Sequence, residues 1–307
     1  MGSLWMLLAS LAFAAMGVFA KLGAGHFSSL ELVFYRSLFG VISLGGLARL
    51  RGWTLGSPHW RLHLTRGGFG VVSLGLYFHC IGRIPLATAV TLNYTSPLFL
   101  ALITTVFMAE PLHWPLAAAA AVSFLGVLLL LEPTLDRDQW IDGTLGLASG
   151  LLAAIAYASV KRLGASGEPS WRVVFHFTLL STVVAGVGMA LTEVHAIDTG
   201  NIWIILGIGL TATLGQFAMT RAYHTGDTLV VGALSFATVL FSALLGLGLW
   251  GETLRPGAWV GMALIVAGGL LSLRAMPSAG ASARRAPPGN AGEVSSNTRA
   301  TRDRAGP

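Results

Sequence analysis

Residues 92–131, LNYTSPLFLALITTVFMAEPLHWPLAAAAAVSFLGVLLLL, return 142 positions later as residues 234–273, LSFATVLFSALLGLGLWGETLRPGAWVGMALIVAGGLLSL, with no insertion or deletion. Leu98, Phe99, Ala101, Leu102, Glu110, Leu112, Gly126, Leu128 and Leu129 recur as Leu240, Phe241, Ala243, Leu244, Glu252, Leu254, Gly268, Leu270 and Leu271. Leucine and alanine matches come cheaply in so apolar a chain. A glycine and a glutamate held in the same register do not, and the chain reads as two copies of one unit.

What kind of unit follows from composition. Of 307 residues 54% are hydrophobic and 10% charged, and the mean hydropathy is +0.72. That is too little polar surface to coat a soluble globule, so the chain belongs in a bilayer. A helix crossing the hydrocarbon layer needs roughly 20 apolar residues. Windows of that size fit residues 3–22, 30–48, 67–83, 86–108, 115–132, 143–163, 171–191, 203–224, 228–250 and 257–274. These make ten spans, five per copy. An odd number per copy turns the second upside down relative to the first, which predicts an all-α fold of two inverted five-helix repeats with a cleft between two bundles. The domain reading is 1–132 for the first repeat, 143–274 for the second and 275–307 for a basic tail. The tail is rich in Ala, Gly, Ser, Pro and Arg and has too few large apolar residues to fold on its own.

The net charge of +6 and the pI near 10.1 might suggest nucleic acid, but the cations sort by membrane side instead. With the N-terminus in the cytoplasm, Arg49, Arg51, Arg61, Arg66, Lys161, Arg162, Arg172, Arg274 and the tail fall inside. Lys21, Arg83, Arg137 and Arg255 fall outside, beside Glu132, Asp136, Asp138 and Asp142. This positive-inside bias predicts a multi-pass membrane protein with two cytoplasmic termini. No Lys or Arg precedes the first span, so a cleaved signal is not expected. Cys80 is the only cysteine, which excludes an intrachain disulfide and a cysteine-based metal site.

Several short motifs now line up in order. They are Phe34-Tyr35-Arg36, Ile84-Pro85-Leu86-Ala87-Thr88-Ala89, Tyr94-Thr95-Ser96-Pro97, Ala109-Glu110-Pro111-Leu112 and Gly251-Glu252-Thr253-Leu254. Together they resemble the EamA family of the drug/metabolite transporter superfamily, over about residues 3–274. The resemblance implies a ten-helix secondary transporter, often an exporter of amino acids or other small metabolites.

Polar groups at membrane depth should face a cavity or a partner, because leaving a charge in hydrocarbon costs about 2.5–3.5 kcal/mol on insertion scales. On the third span Ser73, Tyr77 and Cys80 share a face, with His79 beside them near the outer end. On the fourth, Thr88, Thr91 and Thr95 form a stripe next to Asn93 and Tyr94, and Pro97 interrupts the helix. On the eighth, Thr213, Gln216, Thr220 and His224 form one seam expected to line the cleft. The repeat register makes His79 and Arg221 equivalent, which suggests guards at opposite mouths. Tyr77, Tyr94, Tyr157 and Tyr223 lie deep enough to stack on a planar or cationic solute, which suggests an aromatic or amphipathic cargo. The substrate-contact set is therefore Tyr77, His79, Asn93, Tyr94, Thr95, Tyr157, Gln216, Thr220, Arg221, Tyr223 and His224.

Blander roles stand beside these. Thr88 and Thr91 can bond back to their own helix, and His79 serves equally as an interhelical hydrogen-bonder. Arg221 can snorkel to headgroups. Lys21 and Arg36 occupy span edges, Lys161 and Arg162 anchor topology, and Glu110 and Glu252 cap loops at the water boundary. Gly246–Gly251 matches a dinucleotide fingerprint, but no strand precedes it, so its glycines read as packing. Gly146–Gly150 and Gly257–Gly261 read the same way.

The expected function is alternating-access transport of amino acids or related amphipathic or aromatic metabolites, in the efflux direction. A passive channel is the alternative, and an intramembrane enzyme a weaker one. No nucleophile–base pair, paired carboxylate or His-Glu-x-x-His motif sits at membrane depth, so neither catalytic residues, a cofactor nor a metal is expected. The partners are a small solute and lipid, with a proton or an exchanged solute as the coupling species, in a monomer or weak homodimer.

Overall fold

The computed structural model describes residues 2–81, 83–84, 86–108, 113–133, 137–251 and 254–275. Among them there are only helices: α1 Trp5–Gly23, α2 Ser29–Leu50, α3 Trp60–Ile81, α4 Leu86–Asn93, α5 Ser96–Phe107, α6 Trp114–Leu131, α7 Trp140–Ala165, α8 Ser170–Met189, α9 Ile202–Thr225, α10 Thr228–Ser235, α11 Ala237–Trp250 and α12 Pro256–Arg274. Short 3-10 turns at Gly2–Leu4 and Arg137–Gln139 lead into α1 and α7. Glu110 and Glu252, and the tail from 276 onward, lie outside the described residues.

Among the described residues nine stretches are long and apolar enough to cross a membrane, with α4–α5 and α10–α11 each forming one. Trp60–Ile81 is not among them. Arg61, His63, Arg66 and His79 dilute its apolar character, and it runs along the span α7 with Ser73 and Cys80 bonded to that helix's backbone. Large apolar side chains face outward along the other helices, for example Leu206, Leu210 and Leu214 down one side of α9. Trp60, Trp114, Trp140, Trp203 and Trp259 are exposed at helix starts, where an amphipathic ring suits the headgroup layer.

Local chemistry sets the breaks. Pro97 has no backbone N–H to give, so the span restarts there as α5 with the proline in its first turn. The second copy has no proline at the matching place, and α10 is separated from α11 by Phe236 alone, whose backbone stays in the right-handed helical region. Asp227 caps α10 by accepting from the N–H groups of Leu229 and Val230. Ser28 and Glu31 form a reciprocal capping box at the start of α2.

Element starts recur at the 142-residue offset: Leu86 and Thr228, Trp114 and Pro256, Trp60 and Ile202. Equivalent helices run in opposite directions. Gly126 of α6 packs on Gly261 of α12, where a Cβ on either would sit 2.6 Å from the other's carbonyl oxygen, and Gly268 meets the Ala119 carbonyl. One index rises as the other falls, and Arg255 Nη1 donates to Glu132 Oε2 at 2.7 Å at the end of the same pair. Antiparallel contact without side chains lets the two backbones approach closely, which is how lipid-embedded helices gain packing energy.

The picture of two bundles clasping a vestibule needs one change. The broadest helix contacts, α6 with α12, α1 with α9, α3 with α7 and α2 with α8, all join one copy to the other. The two copies are interlocked, and neither has a closed five-helix core of its own.

Candidate functional site

Between the interlocked helices lies a cavity of about 760 Å³, lined from both copies. Tyr77 and Ser73 of α3, Asn93 and Tyr94 around the α4–α5 break, Tyr157 of α7 and Gln216 of α9 all face it, with Thr238 and Ser242 of α11. The lining also includes Leu130 and Leu131, the last residues of α6, and Leu254 just before α12. The cavity therefore extends to the end of the molecule that holds the α6–α7 and α11–α12 connections.

At the opposite end the helices close. Met6, Leu116, Leu163, Val173, Ala222 and Val230, each near the other terminus of its helix, belong to one buried apolar cluster. Above that plug Tyr157 and Tyr223 stack with ring centroids 5.3 Å apart and planes 17° from parallel. A pocket of about 80 Å³, lined by Tyr94, Tyr157 and Tyr223 among others, lies next to the main cavity.

Sequence reasoning passed over the strongest feature of the wall. Arg36 and Arg66 both line the cavity and are 9% and 3% exposed. Arg66 was expected at the cytoplasmic edge and Arg36 at a span edge. Instead α3 begins at Trp60, several residues earlier than the window from 67, which carries Arg66 about 9 Å up its helix. Arg66 Nη2 donates to Gln216 Oε1 at 3.3 Å, and its guanidinium lies 4.0 Å from the Phe177 ring centroid. Its Nε finds no partner. Arg36 Nη1 reaches only the Met16 sulfur, at 3.5 Å. No Asp or Glu lines the cavity among the described residues. The available signal was Arg36 inside an apolar window, seven residues from the start of its helix.

Of the expected contacts, Tyr77, Asn93, Tyr94, Tyr157 and Gln216 come together in the main cavity, and Tyr223 sits in the adjoining pocket. Asn93 Nδ2 donates to Ser149 Oγ at 3.1 Å, which fixes its amide on α7. The others line neither space. Thr95 Oγ1 turns back to the Leu92 carbonyl at 2.6 Å. His79 is exposed and pairs with Asp142 Oδ1 at 3.2 Å. Arg221 is exposed, 4.7 Å over the Trp5 ring. The seam on α9 is a true face, but below Gln216 the apolar plug covers it: Thr220 is buried and His224 Nδ1 lies 3.2 Å from Ser170 Oγ. Glycine does work where α7 meets α4, since a Cβ on Gly150 would fall 2.7 Å from the Leu92 carbonyl oxygen.

A second polar cluster sits at the closed end. Glu168, in the connection from α7 to α8, is 5% exposed. Its carboxylate accepts from His59 Nδ1 at 3.3 Å, His63 Nε2 at 3.2 Å and Arg172 Nη1 at 3.0 Å. His63 stacks on His176 with ring centroids 4.2 Å apart, and Arg172 continues to the Thr54 carbonyl and hydroxyl. Burial pushes the Glu168 carboxyl up, but hydrogen bonds from Arg172, His63, His59 and Ser57 outweigh it and hold it below the usual carboxylate value. Glu168 thereby ties the start of α3 to the start of α8.

A polytopic helical bundle with one polar, aromatic cavity at membrane depth, open at one end and plugged at the other, has the architecture of a small-molecule membrane transporter. The chain belongs to the EamA-like transporter family, whose model matches residues 1–132 and 143–274. It is 30% identical over 271 residues to the pseudopaline exporter of Pseudomonas aeruginosa, covering 88% of this chain and 92% of that one. It is also 30% identical over 285 residues to the riboflavin transporter of Rhizobium johnstonii, covering 89% and 91%. A solved crystal structure superposes with a TM-score of 0.80 at 19% identity, over 89% of this chain and 97% of the other. The protein is thus a multi-pass inner-membrane transporter of a small solute, and not an enzyme.

Proposed function

We propose that this chain exports a small amphipathic or aromatic metabolite, amino acids among the candidates, as a secondary carrier working by alternating access. The observation that carries this reading is the cavity of about 760 Å³ between the two copies, which extends toward one end of the molecule and has aromatic and amide groups on its wall. Its volume falls in the range, about 300–1,000 Å³, that holds a small organic ligand. Tyr77, Tyr94 and Tyr157 would cover the flat parts of the solute, while Asn93 and Gln216 orient its polar groups. The similarity to an exporter and to a vitamin transporter supports a metabolite-sized cargo, and the exporter supports outward movement.

Turnover needs the open end to close and the plug to part. Because the copies are interlocked, the moving units would combine helices of both copies, and the Glu168 cluster would be the polar latch released at the closed end. A proton or an exchanged solute would supply the drive. The test is counterflow in liposomes holding the full chain, with a panel of labelled amino acids, vitamins and aromatic metabolites, with and without a pH gradient. A carrier gives saturable uptake and counterflow. Flux that neither saturates nor shows counterflow would overturn alternating access in favour of a channel.

A further inference from the structure

We infer that the transported solute is an organic anion, and that the guanidinium groups of Arg36 and Arg66 receive its carboxylate in the central cavity. The inference rests on the carrier reading for the word cargo, but its binding arm stands without it.

Two cations occupy the wall of one cavity, each at least nine-tenths buried. A buried charge is tolerated when an opposite charge and hydrogen bonds replace its lost water. Here the described wall offers a neutral amide oxygen, a thioether, an aromatic face and the neutral Tyr157 phenol, which interacts with both guanidinium groups, and Arg66 Nε is left without a hydrogen bond. Among the described residues no carboxylate lines the same space. The missing partner is an oxyanion brought in by the solute, and the planar guanidinium fork suits a carboxylate.

The wall also argues against other charges. A cationic solute would meet two fixed positive charges with no acid among the described lining residues to offset them. A zwitterion would satisfy the arginines with its carboxylate and leave its ammonium facing the same charges. A bare inorganic ion would leave the apolar and aromatic lining at Tyr77, Tyr94 and Tyr157 uncovered. What remains is a carboxylate on an aromatic or apolar body.

The purified full-length chain tests this by ligand-dependent thermal melting and by titration of tryptophan fluorescence. The probes are indole-3-propionate, tryptophan and tryptamine, which share a ring and differ in charge, with phenylpropionate and phenethylamine as a second matched pair. Each carboxylate is expected to bind and stabilise more than its amine, with tryptophan between. Arg36→Gln and Arg66→Gln should each weaken the carboxylates by roughly tenfold to a hundredfold, the worth of a charge-assisted hydrogen bond, and Arg66→Lys should recover part of the loss. Without ligand, neither Gln variant should melt below the wild type, because each removes an uncompensated buried charge.

If no carboxylate outbinds its amine, or both Gln variants keep full carboxylate affinity, the inference falls. It falls too if the ligand-free Gln variants are strongly destabilised while Arg66→Lys binds like Arg66→Gln, since the arginines would then be structural. Carboxylate binding without counterflow of the same compound would instead sink the carrier reading and leave the clamp standing. Counterflow of the amines would do the reverse.

Discussion

The two ends of the solute pathway treat buried charge in opposite ways. At the closed end the carboxylate of Glu168 is wrapped by His59, His63 and Arg172, so the chain satisfies its own charge. In the cavity Arg36 and Arg66 are as deeply buried but meet neutral groups, an amide, a sulfur, a ring face and the Tyr157 phenol. A charge neutralised within the chain is a fastening, and one left for an outside partner is a receptor. Burial does not separate the two roles; the completeness of the partner set does.

The largest effect should come from breaking the fastening. Glu168→Gln leaves Arg172 and two imidazoles without their carboxylate, and loss of one member of a buried pair costs about 3 kcal/mol or more. A melt of the purified protein should show a drop of roughly 6 °C or more. Arg66→Gln, at equal burial, should leave the melt unchanged and abolish most uptake. If both substitutions destabilise alike, the contrast between the ends disappears.

Acid sharpens the same comparison. The folded-state pKa of Glu168 is lowered, so its contribution is fully present above the unfolded value of about 4.3 and is lost as pH falls through the folded value. The gap in melting temperature between wild type and Glu168→Gln should be complete at neutral pH and shrink only below about pH 4.3. A gap that closes instead between pH 7 and 5.5 would assign the latch to its histidines.

Smaller effects test the edges of the site. Gln216→Ala removes the acceptor that orients Arg66 and should weaken solute binding by roughly threefold to tenfold, about one neutral hydrogen bond. His79→Ala should change uptake by less than about twofold, because His79 sits exposed on Asp142 outside the cavity and surface ion pairs are worth little. A large loss at His79 would restore the sequence-based idea of a guard at the mouth.

Much of the site was legible before the structure. Tyr77, Asn93, Tyr94, Tyr157 and Gln216 were drawn from polarity at membrane depth, and all five line the cavity. The rule also drew in residues that line neither space, among them Thr95, whose hydroxyl is consumed by the Leu92 carbonyl. Thr220 and His224 were drawn in likewise, where α7, α8 and α10 cover the seam that the helical period identified. The greater miss was Arg66. Edge rules assign an arginine at the start of an apolar window to the headgroups, and the window began too late because α3 is the least apolar of the long helices.

The 142-residue register and the apolar composition determined by themselves a helical membrane protein made of a repeated unit, since period and hydropathy depend only on residue order. The expectation of an odd number of crossings per unit added the inversion, and the antiparallel packing of α6 on α12 agrees with it. Tertiary structure alone decided that the copies interlock, that the pathway is plugged at one end, and that two arginines face the cavity while Arg221 faces out. Those outcomes depend on which helix covers which face, and a side chain's partners, not its own chemistry, settle whether its charge is spent or waiting.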